Sequence, residues 1–258
     1  MHKIVCIGAG RLAYHLMPRL EQAGHHVIQV FNRTKSHADA LMTQLASAEL
    51  VDHVEEITAE ADLYFFTIKD DAIPSIASQL SSIEDNQKIF VHCSGVSDLN
   101  VLPFERKGSF YPLQTFSYAH AIPWEETPIL ITAMLPEVKK VLVHLAQEIS
   151  KSVYTVSDEQ KTRLHLAAVF ANNFTNHMLM LSAKICKDHG LSFEILKPLI
   201  KETVEKALHL GPEHSQTGPA VRGDEVTIQK HLKLLEHDPS LASLYSLITD
   251  QIKEYHTH

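Results

Sequence analysis

Short apolar runs alternate with stretches of helical period over the first 156 residues, and then the alternation stops. Runs at Lys3–Ile7, Val27–Phe31, Leu63–Ile68, Lys88–His92, Ile129–Ala133 and Ser152–Val156 read as strands, with weaker candidates at Glu49–Val51 and Ser109–Phe110. Between them Gly10–Ala23, Ser36–Ala46, Ile73–Leu80 and Pro136–Ser150 read as helices. Strand–helix–strand units of this kind build a mostly parallel α/β sheet. Pro18 falls inside the first helix and removes the bond to the Tyr14 carbonyl, which predicts a kink. The segment Pro103–Trp124, rich in Pro, Phe and Tyr, reads as a loop crossing the sheet edge.

After Val156 the period is helical throughout. Ser157 is a predicted N-cap, and Asp158 and Glu159 place acids in the first turn. From there one helix runs to about Asp188, where Gly190 can end it. At 1.5 Å per residue it spans roughly 45–48 Å. Further helices follow at about Ser192–Leu210, Asp224–His237 and Pro239–Glu254. The predicted organisation is an α/β domain over residues 1–156 and an all-helical domain over 157–258. The long helix is apolar almost all round, which predicts that it is buried, partly against a second copy of the chain in a homodimer. A core within one chain is the alternative. Asn172, Asn173, Asn176 and His177 near its middle exclude a membrane span.

Composition narrows the class. A net charge of −8 argues against a nucleic-acid partner, which calls for a basic face. Cys6, Cys93 and Cys186 lie far apart and read as reduced thiols of a cytoplasmic protein. The chain opens on strand chemistry rather than on a signal peptide. Among 18 histidines there is no His-Glu-x-x-His and no paired Cys-x-x-Cys, so no metal site is expected.

The first strand breaks into Gly8-Ala9-Gly10-Arg11-Leu12-Ala13 and then a helix, an arrangement that holds a pyrophosphate. Gly8 allows the tight turn, and Gly10 lets the backbone approach the phosphates. Ala13 lets the helix lie close on the sheet, and the free amides of Arg11 and Leu12 attract the anion. After the second strand stands Phe31-Asn32-Arg33-Thr34-Lys35, with no carboxylate to bind ribose hydroxyls. Arg33 and Lys35, with the small polar groups of Asn32 and Thr34, suit a 2′-phosphate, which selects NADP(H) over NAD(H). Thr67 and Lys69 follow one strand and Ser94 and Gly95 another, where the nicotinamide half should pass.

On an unbroken helix His165, Ala168, Asn172 and Asn176 share one narrow stripe. Such groups on a buried helix call for partners or a ligand, so His165 is the candidate proton donor, with Asn172 and Asn176 orienting the reactants. A packing network between helices is the plainer reading of the same stripe. The loop Gly218–Asp224 carries Arg222, which can hold a substrate carboxylate, and Asp224, which can cap the next helix.

These residues resemble the superfamily of 6-phosphogluconate and β-hydroxyacid dehydrogenases, whose plan ketopantoate and pyrroline-5-carboxylate reductases share. His165-x-x-Ala168-x-x-x-Asn172 fits the frame His-x-x-Lys-x-x-x-Asn, with Ala168 where that superfamily has its catalytic lysine. Lys161 lies one turn away and is a poor substitute. Phe110–Ser117, Leu164–Phe174 and Thr217–Asp224 are similar to a family of Rossmann-like proteins with a helical C-terminal domain, which tends to carry histidine where Tyr111 stands. That resemblance implies an NADP-dependent oxidoreductase that dimerises through the helical domain.

The expected function is hydride transfer between NADP(H) and a small carbonyl or imine compound. The loss of the lysine at Ala168 favours a rival, a non-catalytic NADP(H)-binding sensor or scaffold. A deazaflavin donor on the same fold would need a wider cleft, and nothing in the sequence demands one.

Overall fold

Eight strands form one sheet in the order β3-β2-β1-β4-β5-β6-β7-β8, within a computed structural model that describes residues 1–256. They are β1 (Lys3–Ile7), β2 (His26–Phe31), β3 (Glu49–Val51), β4 (Leu63–Phe66), β5 (Ile89–His92), β6 (Lys107–Pro112), β7 (Ile129–Ala133) and β8 (Val153–Thr155). Neighbours pair in parallel except β6 and β7, which are antiparallel. Strands β4, β5 and β7 are buried along their whole length, as continuous apolar runs in a covered parallel sheet should be.

Each face of the sheet has its own core. On one, Ala13, Leu16, Met17 and Leu20 of α1 (Arg11–Gln22) and Val138, Leu142 and Leu145 of α4 (Pro136–Gln147) pack with Ile4, Cys6, Phe65 and Val91. On the other, Ile73, Ile76 and Ala77 of α3 (Ile73–Gln79) join Val5, Ile7, Tyr64, Phe66 and Phe90. Helix α1 continues through Pro18. The helix expected over Ser36–Ala46 shrinks to a 3₁₀ turn, Lys35–His37, and one turn of α2 (Asp39–Met42). Only Ala38 and Leu41 of that stretch are buried, too little to hold a longer helix against the sheet.

Two expectations need correction. Part of the supposed crossing loop Pro103–Trp124 is β6, which lengthens the weaker candidate Ser109–Phe110 and is hydrogen-bonded to β7 with Ser109 opposite Thr132 and Tyr111 opposite Leu130. Its Gly and Pro shorten the apparent strand, whose backbone groups β5 and β7 satisfy. The long helix is also not uniform. It runs as α5 (Asp158–Ala168), a π-helical segment at Val169–Phe174 and α6 (Thr175–Asp188). Its start is a capping box in which Ser157 Oγ accepts from Gln160 N at 3.1 Å and Gln160 Oε1 from Ser157 N at 2.9 Å. Its end is Gly190, at φ +68°.

The chain divides into compact units at Met1–His177 and Met178–His258. The second contains α7 (Lys197–Leu210), the short α8 (Pro212–Ser215), α9 (Glu225–Leu234) and α10 (Pro239–His256). Within it His231 Nδ1 lies 2.8 Å from Tyr245 Oη, and Asp224 caps α9 by accepting from Thr227 N at 3.1 Å. No helix among the described residues is long and apolar enough to cross a membrane. In the single chain Leu166, Phe170 and Phe174 of the first unit and Met180 of the second are exposed.

Candidate functional site

The turn after β1 is built from glycine for steric reasons. Gly8 sits at φ +106°, and a Cβ there would lie 2.6 Å from Ile68 Cγ2 and 3.0 Å from the Thr67 carbonyl carbon. Gly8 N donates to Phe31 O at 2.8 Å, while Thr67 Oγ1 donates to Gly8 O at the same distance. Ala9 N donates to Asn32 Oδ1 at 3.2 Å, and Asn32 Nδ2 to Thr34 O at 2.7 Å. The turn is thus fastened to the ends of both neighbouring strands. Helix α1 follows with no side-chain cap and no acid in its first turn, which leaves its first amides open to an anion.

A cavity of about 650 Å³ opens over this turn, at the carboxyl ends of β1, β2 and β4. Gly8, Gly10, Asn32, Arg33, Thr34, Thr67 and Lys69 line it, seven of the eleven positions that sequence reasoning gave to a cofactor. Arg33 is exposed there and has no hydrogen bond or ion pair among the described residues. Lys35, by contrast, pairs with Asp52 at 3.1 Å and does not line the cavity.

A second cavity, of about 370 Å³, begins one residue later, at Arg11. The loop after β6 supplies Leu113, Gln114, Thr115 and Phe116, and the helix opposite supplies His165, Ala168, Val169, Asn172 and Asn173. Tyr111 at the end of β6 stands 2.8 Å, Oη to Nδ1, from His165. Burial, and then the charge of Asp70, hold the Tyr111 phenol above its ordinary value, so it stays protonated at neutral pH. Helix α1 holds the facing loop: His15 Nε2 lies 2.8 Å from Ser117 O, and Tyr14 packs edge-on against Tyr118.

The helix face is set by two contacts on one strand. Lys161 meets Ser109 Oγ at 3.3 Å, and four residues on, His165 meets Tyr111. Lys161 is fully buried, donating to Ser97 O at 2.7 Å and pairing with Asp158 Oδ1 at 2.9 Å. Asp158 Oδ2 in turn accepts from Leu99 N at 3.0 Å. Burial lowers the Lys161 ammonium's pKa, against the opposing pull of Asp158. Next to Ser109 on the same side of the sheet is His92, buried, its Nδ1 accepting from Ser94 N at 3.2 Å and its Nε2 without a partner. Desolvation, and then the Lys161 charge, push its pKa down to about 3.

Several candidate residues stand elsewhere. Ser94 Oγ closes its own turn by accepting from Val96 N and Ser97 N. Gly95 is buried against the His165 ring: a Cβ would lie 2.5 Å from Nδ1 and 2.8 Å from Tyr111 Cζ. Leu12 lines neither cavity. Asn176 is exposed and outside the second cavity, while Asn173 joins Asn172 in its wall. The π segment explains this, since one wide turn sets later residues back by about 100° relative to an unbroken α-helix. Arg222 lies in the second unit, exposed in the turn before α9. Tyr111 was missed as a site residue, although it stands inside a motif that carried the family resemblance.

Comparison with known proteins gives the family and the fold. Residues 3–95 match the family described as NADP oxidoreductase coenzyme F420-dependent, and residues 127–252 match the domain of unknown function DUF2520. The chain is similar to a Bacteroides fragilis protein provisionally named an NADP oxidoreductase, with 38% identity over 98% of each chain and a TM-score of 0.91. A Thermotoga maritima protein is 22% identical over 99% of this chain and 100% of its own, with a TM-score of 0.81. A reductive aminase from Aspergillus terreus, in complex with NADPH and ethyl levulinate, is 16% identical over 98% of this chain and 93% of its own, at 0.71. The last two speak to the fold alone. No curated protein matches the chain.

Proposed function

We propose that this chain, which belongs to the NADP oxidoreductase family with a DUF2520 C-terminal domain, is an enzyme that transfers hydride between NADP(H) and a small carbonyl or imine compound. The observation that carries the proposal is the adjacency of the two cavities. Gly10 lines the first and Arg11 the second, so a ligand on the glycine turn that extended past Arg11 would enter the cavity walled by the Tyr111–His165 pair.

The residues present fit a dinucleotide. The space that a Cβ at Gly8 would fill is taken by Ile68 and Thr67, which fixes the turn, and the uncapped start of α1 would hold the phosphates. Asn32, Arg33 and Thr34 would hold the adenosine end, with Arg33 on the 2′-phosphate and no carboxylate among these three to repel it. When bound, the dinucleotide supplies or accepts the hydride. The protein's part is the proton. His165, oriented through Nδ1 by the Tyr111 hydroxyl, presents Nε2 as the donor or acceptor, and Asn172 orients the reacting group. Ala168 leaves room where a lysine stands in the superfamily that this frame resembles, and Lys161, sealed beneath the helix, takes no part in the chemistry. The exposed side chains of Leu166, Phe170, Phe174 and Met180 support a homodimer in which a second copy covers them.

The test is direct. Calorimetry with NADP(H) and NAD(H) should give binding of the phosphorylated form, and NADPH should be oxidised by at least one member of a carbonyl and imine panel. Binding without turnover across the whole panel would favour the sensor reading instead.

A further inference from the structure

Resting on that reading, we infer that Arg11 anchors the substrate, and that the second cavity takes a carbonyl or imine compound bearing a single carboxylate. Arg11 follows Gly10 directly, yet it lines the second cavity and not the first. It is exposed, and its side chain has no hydrogen bond or ion pair among the described residues. No Asp or Glu lines that cavity, so the guanidinium is its one permanent charge, in a chain that carries 31 acids against 23 Lys and Arg. An unpaired cation in a concave site without acids selects an anion.

The neighbours define which anion. The same cavity is lined by neutral amides, those of Gln114, Asn172 and Asn173. One fixed positive charge and neutral amides balance a carboxylate, which the planar guanidinium takes with two parallel bonds. A phosphate dianion would keep a second charge uncompensated in the same space. The spacing between anchor and wall is held, because His15, one turn after Arg11, is tied to Ser117 of the loop that carries Gln114. A carboxylate on Arg11 therefore leaves the rest of a small molecule extending toward Tyr111 and His165, where the proton is delivered.

The test is a binding measurement on the full chain saturated with NADP+, which forms dead-end complexes with keto acids. A series of 2-keto acids of increasing length is titrated, each beside its methyl ester, with inorganic phosphate as a third arm. At least one acid should bind about tenfold to a hundredfold more tightly than its ester, the range of one charge-assisted contact. Arg11→Gln should erase that preference, Arg11→Lys should restore part of it, and both should bind NADP+ within twofold of the wild type. Esters binding as well as acids throughout, or phosphate binding more tightly than every acid, would overturn the assignment. So would a tenfold loss of NADP+ affinity in Arg11→Gln, which would give the arginine to the cofactor. A wild-type protein that takes up no NADP+ would sink the dinucleotide reading itself, a failure visible before any acid is added.

Discussion

His165 Nδ1 and Tyr111 Oη lie 2.8 Å apart, one on helix α5 and the other at the end of strand β6, just before the loop that walls the second cavity. The pair ties the proposed proton donor to the sheet. His165→Ala should lower turnover by about 10²–10⁴-fold, the usual worth of a positioned acid or base. Tyr111→Phe keeps the ring and loses the hydrogen bond, so it should cost only about tenfold. Steady-state kinetics on an identified substrate decide the matter, and a loss under tenfold in His165→Ala would remove that residue from the chemistry.

Arg33 has no partner in the first cavity, so its replacement should leave the fold intact. Arg33→Ala should weaken NADP(H) binding by about 1.5–3 kcal/mol and leave NAD(H) binding nearly unchanged. Equal affinity of the wild type for both nucleotides, measured by calorimetry, would show that the turn does not read the 2′-phosphate.

Gly95 has an ordinary backbone conformation, so its replacement tests space alone. In Gly95→Ala the new methyl would press on both His165 and Tyr111. The expected cost is about 1–3 kcal/mol of stability from overpacking, and a turnover loss that tracks Tyr111→Phe. Wild-type kinetics in a folded Gly95→Ala would mean that the ring positions do not matter.

His92 makes folding sensitive to acid. Its pKa is about 3 in the native state against an ordinary 6.5, so between these values the unfolded chain binds a proton that the native one does not. Stability from this residue is therefore full above pH 6.5 and falls as pH drops toward 3, by about 1.4 kcal/mol per pH unit. Urea unfolding between about pH 7.5 and 5 should show a shallower decline in His92→Gln than in the wild type. Parallel declines would mean that His92 protonates without penalty.

The first cavity was legible in the sequence because its parts are local. Gly8, Gly10 and the Asn32–Thr34 turn each follow a strand within a few residues, and the N-cap at Ser157 is followed at once by its first-turn acids. The second cavity was legible only in part. Tyr111 lies one residue past the weak strand candidate Ser109–Phe110, and it meets His165 across 54 positions of chain. Asn173 and Asn176 exchanged places because a π turn leaves no periodic signal. Gly95 reads as an exposed turn residue until the ring that rests on it is seen. Lys161 gave the opposite impression from its setting, since a charged side chain on a helix is ordinarily solvated and this one is sealed by Asp158, Ser97 and Ser109.

That sealed lysine has a consequence for how such a protein can diversify. Lys161 and His165 are about 6 Å apart along the helix, and Ser109 and Tyr111 about 6.7 Å apart along the strand, so the two contacts engage together like teeth on a rack. Sliding by a single residue would disengage both at once. New specificities in this lineage should therefore arise by exchanging the side chains around Gln114 and Asn172, while the meshed teeth beneath them stay where they are.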